Sequence, residues 1–301
     1  MSAVLANEVV WGDVAGGYSD VRAVLVDPHN PSTIYIGAKN SVLKTEDGGL
    51  TWRNVLSVKG ENKNINFLLF NTYDNNSIYA ATGNGLFFSP DQGKSWKRIF
   101  QGKNYFQKEC TSVVVLPQTI YLGTKQGLFV SKDKGRTWQK EISGLGNSHI
   151  LAITCDMKEP ENIYVACVEG AFRTKDNGQN WERIFVAKPT ENGNGTEEII
   201  EDSDEEKRSS VIRYISIDPN NSHILYLATA QGAYKSQDKG QSWEMFSSYG
   251  LLSQDVSLLA ISSQSNIYSL TKSGVFEYKK RPVAGIILTL GSRENQLFDF
   301  R

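Results

Sequence analysis

The chain has 301 residues, of which 40% are hydrophobic and 11% aromatic, and its formal net charge at pH 7 is −1. A chain of this length and composition can bury one large all-β core or two average ones. The near-neutral charge argues against a general nucleic-acid-binding protein. No apolar run approaches the ~18 residues of a membrane-spanning helix.

The three cysteines, Cys110, Cys155 and Cys167, are too few for a disulfide framework. We expect them to be small buried residues, with a single Cys155–Cys167 bridge as the alternative. None has a CxxC spacing and the chain has three histidines, so the sequence predicts no metal site.

The first predicted elements are short strands. They are EVVWGDV (8–14), VRAVLVD (21–27), STIYIGA (32–38), VLKTE (42–46) and TWRNVL (51–56). Alternating apolar residues, with β-branched and aromatic side chains, support the strands. Turn-forming segments such as DPHNP support the breaks between them. The last four strands form one unit.

This four-strand unit recurs along the chain. Its second strand carries an Ile-Tyr or Leu-Tyr pair, which begins at residues 34, 78, 120, 163, 225 and 267. Successive pairs are about 43 residues apart, except for an interval of about 62 residues after the fourth. Such units are typical of β-propeller blades. The sequence therefore predicts an all-β propeller of four-stranded antiparallel blades, with residues 1–301 in a single domain.

A repeated octapeptide lies between the third and fourth strands of five units. Its copies are TEDGGLTW (45–52), SPDQGKSW (89–96), SKDKGRTW (131–138), TKDNGQNW (174–181) and SQDKGQSW (236–243). The hydroxyl and the Asp carboxylate can bond to nearby backbone groups. The Gly supplies a positive φ, and the Trp ring can pack between sheets. The octapeptide therefore predicts a structural turn rather than a catalytic site.

The residues that we assign this structural role are Asp47, Gly49, Trp52, Asp91, Gly93, Trp96, Asp133, Gly135, Trp138, Asp176, Gly178, Trp181, Asp238, Gly240 and Trp243.

The long interval contains an acidic segment, TENGNGTEEIIEDSDEEKR (190–208). Without it, the remaining chain has a formal charge of about +5. Its composition predicts a solvated loop insertion. The alternatives are a loop that covers a basic face and a calcium-binding loop.

The sixth unit has no fourth strand of its own after VFEYKK (275–280). Because Trp11 matches the tryptophans that begin the other fourth strands, we expect segment 8–14 to complete the sixth blade and close the ring. The segment AGIILTLGSRENQLFDFR (284–301) resembles the start of another unit. Six blades are therefore favoured, and seven are the alternative, with 281–301 as a tail or a partial extra blade.

The octapeptide resembles the Asp box, S/T-x-D-x-G-x-S/T-W, of the BNR (bacterial neuraminidase) repeat, and Asn180 is the departure from that pattern. Residues 21–280 resemble a BNR-type propeller of the sialidase-like superfamily. Near-identical boxes at a regular spacing most resemble those of photosystem II stability/assembly factor-like proteins. The resemblance implies boxes opposite the ligand face, a protein partner, no cofactor, and an exported location (periplasmic, lumenal or extracellular).

A sialidase would need three arginines that grip a carboxylate, together with a Tyr–Glu pair and an acid/base Asp. When the first strands are aligned on the Ile-Tyr pair, the equivalent inner positions hold Arg22, Asn66, Thr111 or Ser112, Leu151, Arg213 and Ser257. Two arginines are one too few, so the sequence predicts no enzyme. Arg22 and Arg213 can hold a partner's carboxylate, and pairing with a neighbouring carboxylate is the alternative.

Loops between blades share the face opposite the boxes. The lysines expected there are Lys39, Lys59, Lys63, Lys103, Lys108, Lys125 and Lys272. The candidate binding residues are Arg22, Arg213, Asn66, Ser257, Lys39, Lys103 and Lys125.

We therefore predict a monomeric, non-enzymatic scaffold that binds another protein. A carbohydrate-active propeller, either a glycan-binding module or a hydrolase, is the alternative, because Tyr18, Tyr105, Phe106 and Tyr249 could stack on sugars.

Overall fold

A computed structural model describes residues 20–74, 76–186, 211–246, 253–262 and 264–278. Within these ranges the chain forms six antiparallel sheets, each built from strands that follow one another in sequence. Segments 8–14, 190–208 and 281–301 lie outside the described residues, so their predicted roles stay predictions.

The first three sheets are four-stranded. Blade 1 contains β1 (Val21–Val26), β2 (Ile34–Ala38), β3 (Ser41–Thr45) and β4 (Arg53–Ser57). Blade 2 contains β5 (Ile65–Phe70), β6 (Ile78–Thr82), β7 (Gly85–Ser89) and β8 (Lys97–Phe100). Blade 3 contains β9 (Cys110–Val115), β10 (Ile120–Thr124), β11 (Gly127–Ser131) and β12 (Gln139–Lys140). A single helical turn, α1 (Tyr105–Lys108), precedes β9 and is capped by the Asn104 side chain.

The other three sheets continue the array. Blade 4 contains β13 (Ile150–Cys155), β14 (Ile163–Cys167), β15 (Gly170–Thr174) and β16 (Glu182–Val186). Blade 5 contains β17 (Ile212–Ile217), β18 (Leu225–Thr229), β19 (Gly232–Ser236) and β20 (Glu244–Phe246). Blade 6 has three strands within the described residues, β21 (Val256–Ile261), β22 (Ile267–Thr271) and β23 (Gly274–Tyr278).

The second strand of each blade is among its most buried elements. All five residues of β6, β10, β14 and β18 are buried. A strand in this position has a hydrogen-bonded neighbour on each side and another blade against its faces, so it needs apolar residues throughout. The tyrosine of the repeated Ile-Tyr pair lies here, and Tyr35, Tyr121 and Tyr164 have no exposed surface.

The hydrophobic core is divided into layers that lie between adjacent blades. One layer joins Tyr35 and Val42 of blade 1 to Leu68 and Ile78 of blade 2. Equivalent layers join blades 2 and 3, 3 and 4, 4 and 5, and 5 and 6. The inner strands β1, β5, β9, β13, β17 and β21 lie side by side in that order. This arrangement confirms the predicted β-propeller.

Backbone hydrogen bonds define two faces. On the first, which we call the box face, the amide of Gln92 in an Asp box donates to Asn76 O in the turn before β6 at 2.8 Å. On the second, the loop face, the amide of Gly83 in the β6–β7 turn donates to Asn64 O of the loop before β5 at 2.8 Å. The loop face is therefore opposite the boxes, as the strand alternation predicts.

The three cysteines are free and buried, as expected from their small number. Within the described ranges, no helix is long and apolar enough to cross a membrane. The same ranges contain no group of three or more His, Cys, Asp or Glu side chains that could hold a metal ion.

Candidate functional site

Each Asp box is a closed set of local hydrogen bonds. In blade 2, Ser89 Oγ donates to Asp91 Oδ1 at 2.9 Å, and the Gly93 amide donates to Ser89 Oγ at 2.8 Å. The Ser95 amide donates to Asp91 Oδ1 at 2.8 Å and its hydroxyl to Oδ2 at 2.6 Å. These bonds to the Ser95 hydroxyl and amide lower the pKa of Asp91. Both carboxylate oxygens are already used within the turn.

The one departure from the box pattern keeps the same bonds. Asn180 Nδ2 donates to Asp176 Oδ2 at 2.7 Å, where the other boxes use a hydroxyl, and the Asn180 amide donates to Oδ1 at 2.9 Å. The positive φ of the box glycines is also present, for example 84° at Gly178. This geometry supports a structural role for all five boxes.

In blades 2 and 4 the box also bonds to the preceding blade through the backbone carbonyl before the box glycine. Tyr35 of blade 1 donates its hydroxyl to Gln92 O of blade 2 at 2.9 Å. Tyr121 of blade 3 donates to Asn177 O of blade 4, also at 2.9 Å. The box thus contributes to blade–blade contacts as well as to its own turn.

The box tryptophans of blades 2 to 5 lie against the preceding blade. Trp138 of blade 3 packs edge-on against Phe100 of blade 2, and its Nε1 donates to Ile99 O at 2.9 Å. Trp243 makes the equivalent bond to Ile184 O of blade 4 at 2.8 Å. The expectation that these rings pack between sheets agrees with these contacts.

The predicted inner positions coincide with a bulge in every first strand. In blade 5, Ile212 pairs with Thr229 and Tyr214 pairs with Ala228, so Arg213 between them has no partner residue in β18. The register shifts at the same place in the other five blades. The equivalent residues are Arg22, Asn66, Thr111, Leu151, Arg213 and Ser257. A bulge releases its extra residue from the ladder.

Several of these bulge side chains bridge to the next blade. Asn66 Nδ2 donates to Cys110 O at 2.8 Å, and Thr111 Oγ1 donates to Ile150 O at 2.7 Å. Arg213 forms a salt bridge at 3.2 Å with Asp255, just before β21. Asn66 is therefore engaged in a structural contact, whereas Ser257 is exposed.

The two arginines occupy the same position but have different partners. Arg22 pairs with Asp20 at 2.9 Å, and both side chains are well exposed. The carboxylate bound to Arg213 also contacts Lys272 Nζ at 3.4 Å. Each guanidinium therefore has a neighbouring carboxylate, which is the alternative that the sequence left open. An incoming carboxylate would have to compete with these exposed pairs.

The predicted lysines are on the loop face. Lys39 and Lys103 are exposed, and Lys39 has a φ of 51° in the β2–β3 turn. Lys125 pairs at 2.7 Å with Glu109, which is 8% exposed. The second carboxylate oxygen of Glu109 is buried and has no hydrogen-bond partner among the described residues.

Near this ion pair, the loop before β13 holds His149. Burial lowers the pKa of His149, and Lys125 lowers it further. The lowered pKa favours the neutral imidazole of His149. Glu109 was not among the predicted binding residues, because no sequence signal shows its burial.

A polar cavity of about 410 Å³ lies on the loop face beside blade 2. Its lining includes three side-chain amides, a guanidinium and an aromatic ring, contributed by Asn62, Asn84, Gln101, Arg98 and Tyr105. Three separate segments supply these residues, so only Tyr105 was recognised from the sequence as a candidate for sugar contact. Tyr105 is 50% exposed and packs edge-on against Phe106.

The comparisons with known proteins agree with this architecture. A family model described as Photosynthesis system II assembly factor YCF48 matches residues 18–142. This range is less than half of the chain and contains blades 1 to 3. The chain resembles this family over those blades. No curated protein matches the sequence.

Many solved structures share the fold. An ancestral GH74 enzyme has a TM-score of 0.68 at 17% identity, over 87% of this chain and 36% of that chain. The GH74 enzyme of Niastella koreensis has a TM-score of 0.65 at 18% identity, over 86% and 45%. PorZ, a surface component of the type-IX secretion system of Porphyromonas gingivalis, has a TM-score of 0.60 at 15% identity, over 85% and 38%.

The chain spans less than half the length of these three proteins. At such identities the likeness concerns the fold alone. It agrees with the predicted propeller, and it does not transfer an activity to this chain.

Proposed function

We propose that this protein is a non-enzymatic scaffold that binds an acidic segment of another protein on the loop face of blades 1 to 3. The observation that carries the proposal is a set of five lysines that form no salt bridge within the described part of the chain. They are Lys39, Lys59, Lys63, Lys103 and Lys108, and we call them the basic patch.

The location of the basic patch supports a partner-binding role. Four of its lysines are exposed, and they lie on loops that the fold holds on one face. Clustered charges of one sign speed the encounter with an oppositely charged partner and select against like-charged ones. The family model that matches blades 1 to 3 describes an assembly factor, which also favours a protein partner.

The test compares two triple charge reversals. In one variant Lys39, Lys59 and Lys103 are changed to Glu, and in the control Lys94, Lys132 and Lys134 of the box face are changed to Glu. The probe is a fluorescent peptide rich in Asp and Glu, titrated at low and high salt. We expect the first variant to bind at least ~10-fold more weakly at low salt and the control to bind like the wild type.

Equal losses in both variants would mean that only the total charge matters, and would overturn the proposal. Failure of the wild type to bind the acidic peptide at low salt would also overturn it.

A second candidate function, glycan binding, is favoured by the polar cavity beside blade 2. Planar amide and guanidinium groups next to an exposed aromatic ring offer hydrogen bonds and a stacking surface. Glu61 is the one carboxylate among the cavity-lining residues that the structure describes. A glycosidase needs two carboxylates across one cleft, so this cavity fits binding better than hydrolysis.

A glycan array tests this second candidate. We expect binding that is lost in Tyr105→Ala and retained in Tyr73→Ala, because Tyr73 is similarly exposed, at 44%, but lies on the box face. No glycan bound by the wild type, or equal binding by both variants, would exclude the cavity as a glycan site.

A further inference from the structure

A second cavity, of about 350 Å³, lies at the box-face end of the inner strands of blades 2 to 5. Its walls are mostly apolar and include Phe67, Leu69, Val113, Ile153, Tyr214 and Ile217. Two acidic residues, Asp156 and Asp218, are also among the lining residues. This cavity is on the opposite face from the basic patch and plays no part in the function proposed above.

Asp156 has a buried carboxylate oxygen that is unpartnered among the described residues. The residue is 2% exposed, and its Oδ1 accepts a hydrogen bond from the Lys158 amide at 2.9 Å. Its Oδ2 is buried and accepts no hydrogen bond from any described residue. A buried carboxylate oxygen without a partner is unfavourable and calls for a donor or a cation.

The turn that contains Asp156 does not require this charge. In blade 2 the equivalent residue is Asn71, whose Oδ1 accepts from the Tyr73 amide at 3.1 Å. In blade 1 it is Asp27, whose Oδ1 accepts from the His29 amide at 2.8 Å. An amide oxygen therefore supports the turn as well as a carboxylate does. The negative charge at position 156 is available for another purpose.

Lys158 is the one basic residue among the described lining residues, and its ammonium group bonds elsewhere. Lys158 Nζ donates to Asn220 O at 2.8 Å, and no salt bridge joins it to Asp156 or Asp218 within the described residues. On the neighbouring blade, Asp218 Oδ1 accepts from the Asn220 amide at 2.9 Å. Among the described residues, the lining thus combines two acidic side chains with one ammonium around an apolar space, and this balance favours a bound cation.

We propose that this cavity binds a primary ammonium group carried on an apolar chain. The ammonium would pair with the acidic side chains of Asp156 and Asp218, and the chain would lie against the apolar walls. Charge-assisted hydrogen bonds are strong where water is excluded, and each buried methylene adds roughly four-fold in affinity. The same chemistry is offered by a free alkylamine and by the lysine side chain of a partner polypeptide.

The experiment titrates n-hexylammonium into the protein and follows the backbone amides of Val115, Ile153 and Ile217 by NMR. We expect saturable binding in the millimolar range or tighter. Hexanol should bind at least ~10-fold more weakly because it cannot form the charged bond, and hexanoate should not bind. Nα-acetyl-lysine amide and a lysine-containing peptide, titrated in parallel, distinguish a free amine from a protein side chain as the source.

Two matched variants make the test specific. Asp156→Asn should retain the turn, as Asn71 does, and should weaken hexylammonium binding at least ~10-fold. Asp27→Asn makes the same change in blade 1, outside the cavity, and should leave binding unchanged. Thermal unfolding of both variants checks that the turn persists. The proposal is wrong if the wild type shows no binding in the millimolar range, if hexanol binds equally well, or if the two variants bind alike.

Discussion

In blade 3 the Asp133 carboxylate accepts hydrogen bonds from the Thr137 hydroxyl at 2.6 Å and from the Thr137 amide at 2.8 Å. These bonds, with a further one from Ser131, lower the pKa of Asp133 from 3.8 to about 2. The pKa values of Asp176 and Asp238 are also lowered to about 2. At the scale of the residue, the charged carboxylate stabilises the box turn more than the protonated acid does.

The first prediction concerns acid stability. Because the pKa of Asp133 is lower in the folded state, its contribution is fully present above pH ~4 and is lost as the pH falls toward 2. Urea unfolding midpoints should therefore fall over this pH range. Asp133→Asn should reduce that pH dependence, whereas Glu161→Gln, a surface carboxylate outside the boxes, should not. Identical pH profiles for the two variants would contradict this account.

The second prediction compares two box tryptophans. Trp138 Nε1 donates to Ile99 O, but Trp181 Nε1 is buried without an acceptor among the described residues. Trp138→Phe should lower the free energy of unfolding by ~1 kcal/mol because it removes a hydrogen bond. Trp181→Phe should change it much less, since no bond is lost. Chemical denaturation of both variants measures the difference.

At the scale of the element, the first strands show what the sequence predicts and what it hides. The repeat spacing predicts every blade, and alignment on the Ile-Tyr pair places Asn66 and Arg213 at equivalent positions. The bulge at these positions is not visible in the apolar alternation, because it depends on how the first strand pairs with the second. For this reason Asn66 was predicted to contact a ligand, although its amide bonds to the next blade.

The residues of the apolar cavity at the box face could not be predicted from the sequence, for a similar reason. An Asp that begins a turn predicts local hydrogen bonds, and Asp156 makes them. Its burial arises only when the inner strands of four blades come together. No local pattern contains that information.

The third prediction tests the bulge contact. Asn66→Ala removes the hydrogen bond to Cys110 O between blades 2 and 3 and should lower the free energy of unfolding by ~1 kcal/mol. Ser257→Ala, at the equivalent but exposed position of blade 6, should have little effect. If both variants unfold at the same denaturant concentration as the wild type, the bridge does not contribute to stability.

At the scale of the whole molecule, the first and last blades differ from the rest. Blade 6 has three strands within the described residues. Apolar side chains are exposed on both terminal blades, among them Val24, at 62%, and Val275, at 52%. These surfaces are consistent with the predicted closure by segment 8–14, which remains a prediction.

The fourth prediction tests that closure. If Trp11 completes blade 6 as the box tryptophans complete theirs, Trp11→Ala should lower the free energy of unfolding by ~3 kcal/mol. Leu50→Ala provides the control, because this side chain is 86% exposed. Thermal or chemical unfolding compares the two. An effect of Trp11→Ala no larger than that of Leu50→Ala would mean that segment 8–14 does not close the ring.

The Tyr35 hydroxyl donates to Gln92 O, and the Tyr121 hydroxyl donates to Asn177 O in the same way. In both cases the donor is in one blade and the acceptor is in the next blade along the chain. A unit with both groups, such as blade 4, offers a donor toward the unit that follows and an acceptor toward the one before, so two copies of such a gene segment fit together without new mutations. Duplication could therefore lengthen the array one unit at a time. In blade 4 the donor to the next box is Arg173, which bonds to Lys239 O at 2.6 Å. The junction between blades 4 and 5 is thus formed by a different donor to the same carbonyl position of the box.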